Sequence, residues 1–175
     1  MKIHSVSPVH HPQEQVYRAY RDRLSEIAAY IPDIKEITVV SREEADGVVR
    51  LHNVWVAQRE IPRVLQVVVK PEMLRWDDHA TWKDAESCCD WVLRLRVFTE
   101  SVRCRGTNRF QADGPRRCRV LLDGDLDIAL ERVPGVPSLL ARRIGPQVER
   151  FFVSLITPNL ERVNQSLERF LDDQA

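Results

Sequence analysis

The chain is poor in nearly every feature that names a chemistry by itself. Its four cysteines, Cys88, Cys89, Cys104 and Cys118, form no CxxC pair and meet no histidine at zinc-ligand spacing. No metal is expected, and reduced thiols should pack as small core residues. Only six glycines are present, and none builds a GxGxxG, GxSxG or phosphate-cradling loop; HExxH is missing as well. Lys plus Arg, at 26, equals Asp plus Glu, at 26, so global charge gives no attraction for nucleic acid or an anionic membrane. No run approaches ~18 apolar residues, and MKIHSVSPVHHP has no apolar signal core. These absences lead us to expect a cytoplasmic protein with no cofactor, no nucleic-acid partner and no stable membrane insertion.

What is present is periodicity. From about Pro137 to Asp173, apolar residues recur three or four apart: Leu140, Ile144, Val148, Phe151, Phe152, Leu155, Ile156, Leu160, Val163, Leu167 and Phe170. The spacing predicts one long amphipathic helix, with Ser138 as N-cap and a bend at Pro158, where a backbone donor is lost. Residues 2–9 alternate as a short first strand. Val16, Tyr17, Tyr20, Leu24, Ile27 and Ile31 then repeat at helical spacing between Pro12 and Pro32. IKEITVVSR and VVRLHNVWVAQ, joined by a turn over 43–47, read as a β-hairpin. Four more strands follow before the long helix. The segment 62–70 is ambiguous: Val64 to Val69 favours strand, whereas Pro62 and Pro71 bracket it at the length of a short helix. A single domain over 1–175, of α+β class, accounts for the whole pattern.

Alternation assigns a face to each strand residue. The inward sets are Val49, Leu51, Asn53, Trp55 and Ala57; Leu74, Trp76, Asp78, Ala80 and Trp82; Trp91, Leu93, Leu95 and Val97; Val102, Cys104, Gly106, Asn108, Phe110 and Ala112; and Cys118, Val120, Leu122, Gly124, Leu126 and Ile128. Charged residues hold the opposite face, so one side of the sheet is wet. All four tryptophans fall on the covered side together with Asn53, Asp78 and Asn108, which a dry core disfavours. Two readings follow. Either these residues wall a ligand pocket, with Gly106 and Gly124 leaving space, or the tryptophans are core and the polar groups pair with one another.

Sequence motifs add little. DGDLDIALE looks like a calcium loop, but its sixth position is Ile128 and its twelfth is Pro134. Asn164-Gln165-Ser166 fits a glycosylation sequon inside a helix. His10 and His11 read as residues leading into the first helix. Asp78 is the one inward carboxylate, and apolar surroundings would raise its pKa toward a range useful for acid–base work. Cys104 and Cys118 lack an inward histidine to activate them. With no nucleophile–base pair, binding outweighs catalysis, and Asp78 is the only catalytic candidate.

The order strand, helix, hairpin, meander and long terminal helix resembles the helix-grip fold of the START, Bet v 1 and polyketide-cyclase superfamily. HPQEQVYRAYRD, the IPDI junction, LRWDDHATWKD and PNLERVNQSLERFL carry the likeness. The resemblance implies a curved antiparallel sheet around the C-terminal helix, two shorter helical segments, and a cavity holding an apolar small molecule or lipid. It also favours helix for 62–70, as an insert over the pocket mouth. Trp55, Trp76, Trp82, Trp91 and Phe110 would then line the sheet side, Phe151, Phe152, Leu155 and Ile156 the helix side. Asn53, Asp78, Asn108 and Asn159 would orient the ligand's polar end. A cyclase- or hydratase-like enzyme and a protein-interaction module, with an exposed valine patch that allows a homodimer, are the alternatives.

Overall fold

A computed structural model describes residues 1–96, 101–128 and 138–174, with the backbone only for 138–141. Seven strands form one antiparallel sheet: β1 (Lys2–Val9), β2 (Ile34–Ala45), β3 (Val48–Ala57), β4 (Arg75–Lys83), β5 (Cys88–Leu95), β6 (Val102–Ala112) and β7 (Cys118–Ile128). Their order is β1-β7-β6-β5-β4-β3-β2, so a meander runs from β2 to β7 and β1 closes against β7. Beside the sheet lie α1 (Gln13–Asp22), α2 (Leu24–Ile27) and α3 (Ser138–Asp172). This is the helix-grip architecture: a curved sheet, a long C-terminal helix and a few short helices.

Local chemistry explains the joints. Asp46 and Gly47, with φ of 52° and 74°, make the two-residue hairpin turn between β2 and β3, tighter than the five residues expected. The first helix is shorter than its periodicity. Arg23 leaves helical geometry at φ −120° and splits it into α1 and α2. The Arg23 guanidinium instead caps the Phe170 ring of α3 at 5.1 Å. Segment 62–70 is neither strand nor regular helix. A 3₁₀ turn covers Arg63–Leu65, and the Val69 N–H donates to the Leu65 carbonyl at 2.7 Å, so only isolated helical turns form between the two prolines. Val64 and Val67 are exposed there, whereas Leu65, Val68 and Val69 are buried.

α3 continues through both Pro146 and Pro158. Pro158 has no N–H to bond the Ser154 carbonyl, and the Arg59 guanidinium donates to that carbonyl at 2.5 Å. The Ser138 cap, Leu140 and Val97 lie outside the described side chains.

The face assignment holds through the described strands. Trp55, Trp76, Trp82, Trp91, Leu93, Leu95, Cys104, Phe110, Leu122 and Leu126 are all buried, and Phe152, Leu155, Val163 and Leu167 of α3 meet them with no measurable exposure. Opposite lie cross-strand ion pairs such as Lys2–Asp125, Arg109–Asp123, Lys83–Asp90 and Arg96–Asp77. The space expected beside Gly106 and Gly124 is filled. A Cβ on Gly106 would sit 2.4 Å from the Trp91 ring, and one on Gly124 3.1 Å from it. Those glycines let Trp91 lie flat on the sheet.

Candidate functional site

Register brings the polar inward residues together. Asn53 of β3 pairs with Asp78 of β4, and Asn108 of β6 pairs with Cys89 of β5, all on the face beneath the helices. Asn53 Nδ2 donates to Asp78 Oδ2 at 3.1 Å, and Trp55 Nε1 reaches the same oxygen at 3.3 Å. Two strands away, Trp91 Nε1 donates to Asn108 Oδ1 at 3.1 Å, and Asn108 Nδ2 donates to the Tyr20 hydroxyl at 3.4 Å. An α1 residue thus joins the cluster from above.

These residues enclose a cavity of about 30 Å³, lined by Asn53, Trp55, Asp78, Ala80, Trp82, Cys89, Trp91, Leu93 and Asn108 from the sheet and by Tyr20, Leu24 and Leu160 from the helices. Its volume exceeds the ~10–15 Å³ that one water requires, yet lies far below the ~300 Å³ at which small-molecule sites begin. The wall carries unmet hydrogen-bonding capacity. Asp78 Oδ1, Asn53 Oδ1 and Trp82 Nε1 are buried with no partner among the described residues. Two acceptors and one donor of the residues lining this space are therefore unpartnered among the described residues.

Burial raises the Asp78 pKa to about 6, against the pull of the Asn53 and Trp55 hydrogen bonds and of His52. Near pH 6 this carboxyl sits at its midpoint and can accept or release a proton. Burial also pushes the Cys89 thiol well above its ordinary value, with Asp78 adding to the effect, and pushes Cys104 to about 12. Neither thiol is a thiolate nucleophile at neutral pH. Tyr20 is likewise raised by burial and stays a phenol.

The other expected site residues divide. Trp76 stacks on Trp55 at 5.8 Å and does not line the cavity. Phe110 belongs to an aromatic cluster with Tyr17, Tyr20 and Trp82, at centroid distances of 5.3 to 5.7 Å. Phe152, Leu155 and Ile156 are packed core. Asn159 is 2 % exposed; its Nδ2 donates back to the Leu155 carbonyl at 2.7 Å and its Oδ1 has no described partner. Sequence reasoning missed Tyr20, Leu24, Ala80, Cys89, Leu93 and Leu160. Extending the β5 alternation back two residues from Trp91 finds Cys89, but no sequence signal says which helical residues stand over the cavity. It also missed Asn164, which is 1 % exposed with both polar side-chain atoms unpartnered among the described residues; such burial closes the sequon.

A second hollow opens where the chain after β3 passes α3. This groove of about 410 Å³ is lined by Arg59, Glu60, Pro62, Val64, Leu65, Gln147, Arg150, Phe151 and Ser154. Of the expected ligand contacts, only Phe151 reaches it. On the wet face a shallow groove of about 720 Å³ runs past Lys2, His4, Asp90 and Asp123, which pair across strands with Asp125, with each other and with Lys83. Among the described residues, no cluster of His, Cys, Asp and Glu could hold a metal ion, and no helix is long and apolar enough to cross a membrane.

A seven-stranded sheet gripping a long terminal helix over a buried polar cluster places the chain in the START-type helix-grip fold. Known structures agree. The protein TTHA0849 of Thermus thermophilus superposes with a TM-score of 0.67 at 22% identity, over 97% of this chain and 95% of that one. The Zhui aromatase/cyclase from Streptomyces sp. R1128 superposes at 0.57 with 18% identity, over 98% and 95%. A START superfamily protein from Mycobacterium smegmatis gives 0.54 at 12% identity, over 99% of each chain. At these identities the likeness establishes the fold alone. No protein-family model and no curated protein matches the sequence.

Proposed function

We propose that the space between the sheet and α3 binds an apolar small molecule or lipid, with a polar group that docks on Asp78, Asn53 and Trp82. The observation that carries this reading is the set of buried polar atoms of cavity-lining residues with no partner among the described residues, a carboxyl oxygen, an amide oxygen and an indole N–H. Desolvating such atoms costs roughly 1–3 kcal/mol each, a cost that a ligand hydroxyl or carbonyl would offset. Occupancy requires Leu24 and Leu160 to move away from the sheet, since the cavity itself is only about 30 Å³. Affinity would come from apolar area, at about 25 cal/mol per Å². The four free cysteines suit a reducing, cytoplasmic setting. Native mass spectrometry of the purified protein, with tryptophan fluorescence during titration with apolar phenols and lipids, tests the reading. A co-purifying ligand or a saturable quench is expected, and finding neither would sink it.

A second reading gives Asp78 an acid–base role on a polyketide-like substrate. A carboxyl poised near pH 6 favours it, as does the fold shared with an aromatase/cyclase. Asp78→Asn should then abolish turnover while binding persists; equal turnover would exclude it.

A further inference from the structure

The groove beside α3 has a different chemistry from the buried cavity, and it points to the other end of the ligand. Its floor is apolar: Leu65 is 2 % exposed and Phe151 6 %, and the Phe151 ring meets the core residue Phe152 edge-on at 5.6 Å. Its rim carries two guanidinium groups, Arg59 and Arg150, neither of which pairs with a carboxylate among the described residues. Elsewhere in the chain Arg21, Arg42, Arg96, Arg109 and Arg162 do have such partners. Arg59 uses one nitrogen on the Ser154 carbonyl, and that bond holds the guanidinium at the groove with its remaining N–H donors unpartnered among the described residues. Gln147 Oε1 is buried at the same place without a described partner, and half a turn of its amide presents an N–H₂ instead. Glu60 is the one carboxylate on the rim, so cations outnumber it two to one. At about 410 Å³ the groove has the size of a small-molecule site.

We infer that this groove binds the oxyanion, carboxylate or phosphate, of an amphipathic ligand, with Arg59 and Arg150 on the anion and Phe151 and Leu65 against the first part of its apolar chain. The inference rests on the proposal that the protein binds an apolar ligand, and it narrows that ligand to an anionic class. A guanidinium fork matches a planar carboxylate or a phosphate better than an ammonium would, and a partly dry floor strengthens the pairing.

The experiment compares dodecanoate, dodecyl phosphate, dodecanol and inorganic phosphate by calorimetry, on the intact chain and on Arg150→Gln. Arg150 supports no other described group, so this variant should fold normally, which circular dichroism verifies. The expected result is that both anionic amphiphiles bind about tenfold more tightly than dodecanol, a preference that 0.5 M salt reduces and that Arg150→Gln largely removes, the scale of one charge-assisted hydrogen bond. The stronger of the two anions identifies the headgroup. Equal affinity for dodecanol and the anions overturns the inference while leaving apolar-ligand binding intact. Binding of none of the amphiphiles overturns both. Full displacement by inorganic phosphate overturns the amphipathic ligand and leaves a free-anion site.

Discussion

Asp78 is where a single side chain governs behaviour. Its carboxyl is buried, accepts two hydrogen bonds on one oxygen and leaves the other without a described partner. Its pKa is raised in the folded state to about 6 from an ordinary 3.8. Between those values the unfolded chain releases this proton while the folded chain keeps it, so Asp78 makes stability fall as pH rises from about 4 to about 6. Above that range the penalty is constant, roughly 3 kcal/mol for a shift of this size. Asp78→Asn should therefore stabilise the protein at pH 8 by up to that amount, and the gain should vanish near pH 4. Denaturant midpoints of both proteins across this range check it; a difference independent of pH would contradict the buried, protonatable carboxyl. The sequence marked Asp78 as the inward carboxylate through simple alternation along β4. It gave no hint that Cys89 and Tyr20 would be its neighbours, because those arrive from β5 and α1 through pairing and packing.

At the scale of elements, α3 depends on a residue far away in the chain. The two prolines each remove a donor, and the sequence predicts the loss at Pro158 but not its compensation. The structure supplies Arg59 for the Ser154 carbonyl, across 95 positions. Arg59→Ala should cost about 1 kcal/mol in the natural background, the net worth of a hydrogen bond to a charged donor at an exposed site. In a Pro158→Ala background the restored helical N–H takes over the carbonyl, and the cost of Arg59→Ala should fall toward zero. A double-mutant cycle by urea denaturation reads the coupling directly. Additive effects would mean that Arg59 acts by something other than capping this carbonyl. The strands were easier to anticipate than the helices. Each strand's alternation is a local property, whereas the break at Arg23 arises where α2 turns to bring that guanidinium over Phe170.

For the whole molecule the decisive quantity is the separation between the sheet and its covering helices. Tyr20, Leu24 and Leu160 close it down to about 30 Å³ above Asp78. Ala80 lies on that wall. Ala80→Val would fill the cavity with two methyl groups, and because small cavities accept extra carbon with little strain, stability should stay within about 1 kcal/mol. Ligand-induced tryptophan quench should disappear, because the space needed for the polar end is gone. Retention of the quench in this variant would place the ligand elsewhere, with the groove at Arg59 and Arg150 as the first alternative.

The sequence by itself determined the α+β class, the single sheet with one wet face, the long terminal helix, and the membership of Asn53, Asp78, Asn108 and the tryptophans in the covered side. Those follow from periodicities of two and about 3.6, which any stretch of chain displays without reference to the rest. Only the tertiary structure decided that Trp91 fills the room beside Gly106, that of the two core residues Phe151 and Phe152 the first also lines a groove, and how little space remains over Asp78. Cavity volume is a small difference between large packed volumes, set by contacts between residues a hundred positions apart, and no local pattern encodes it.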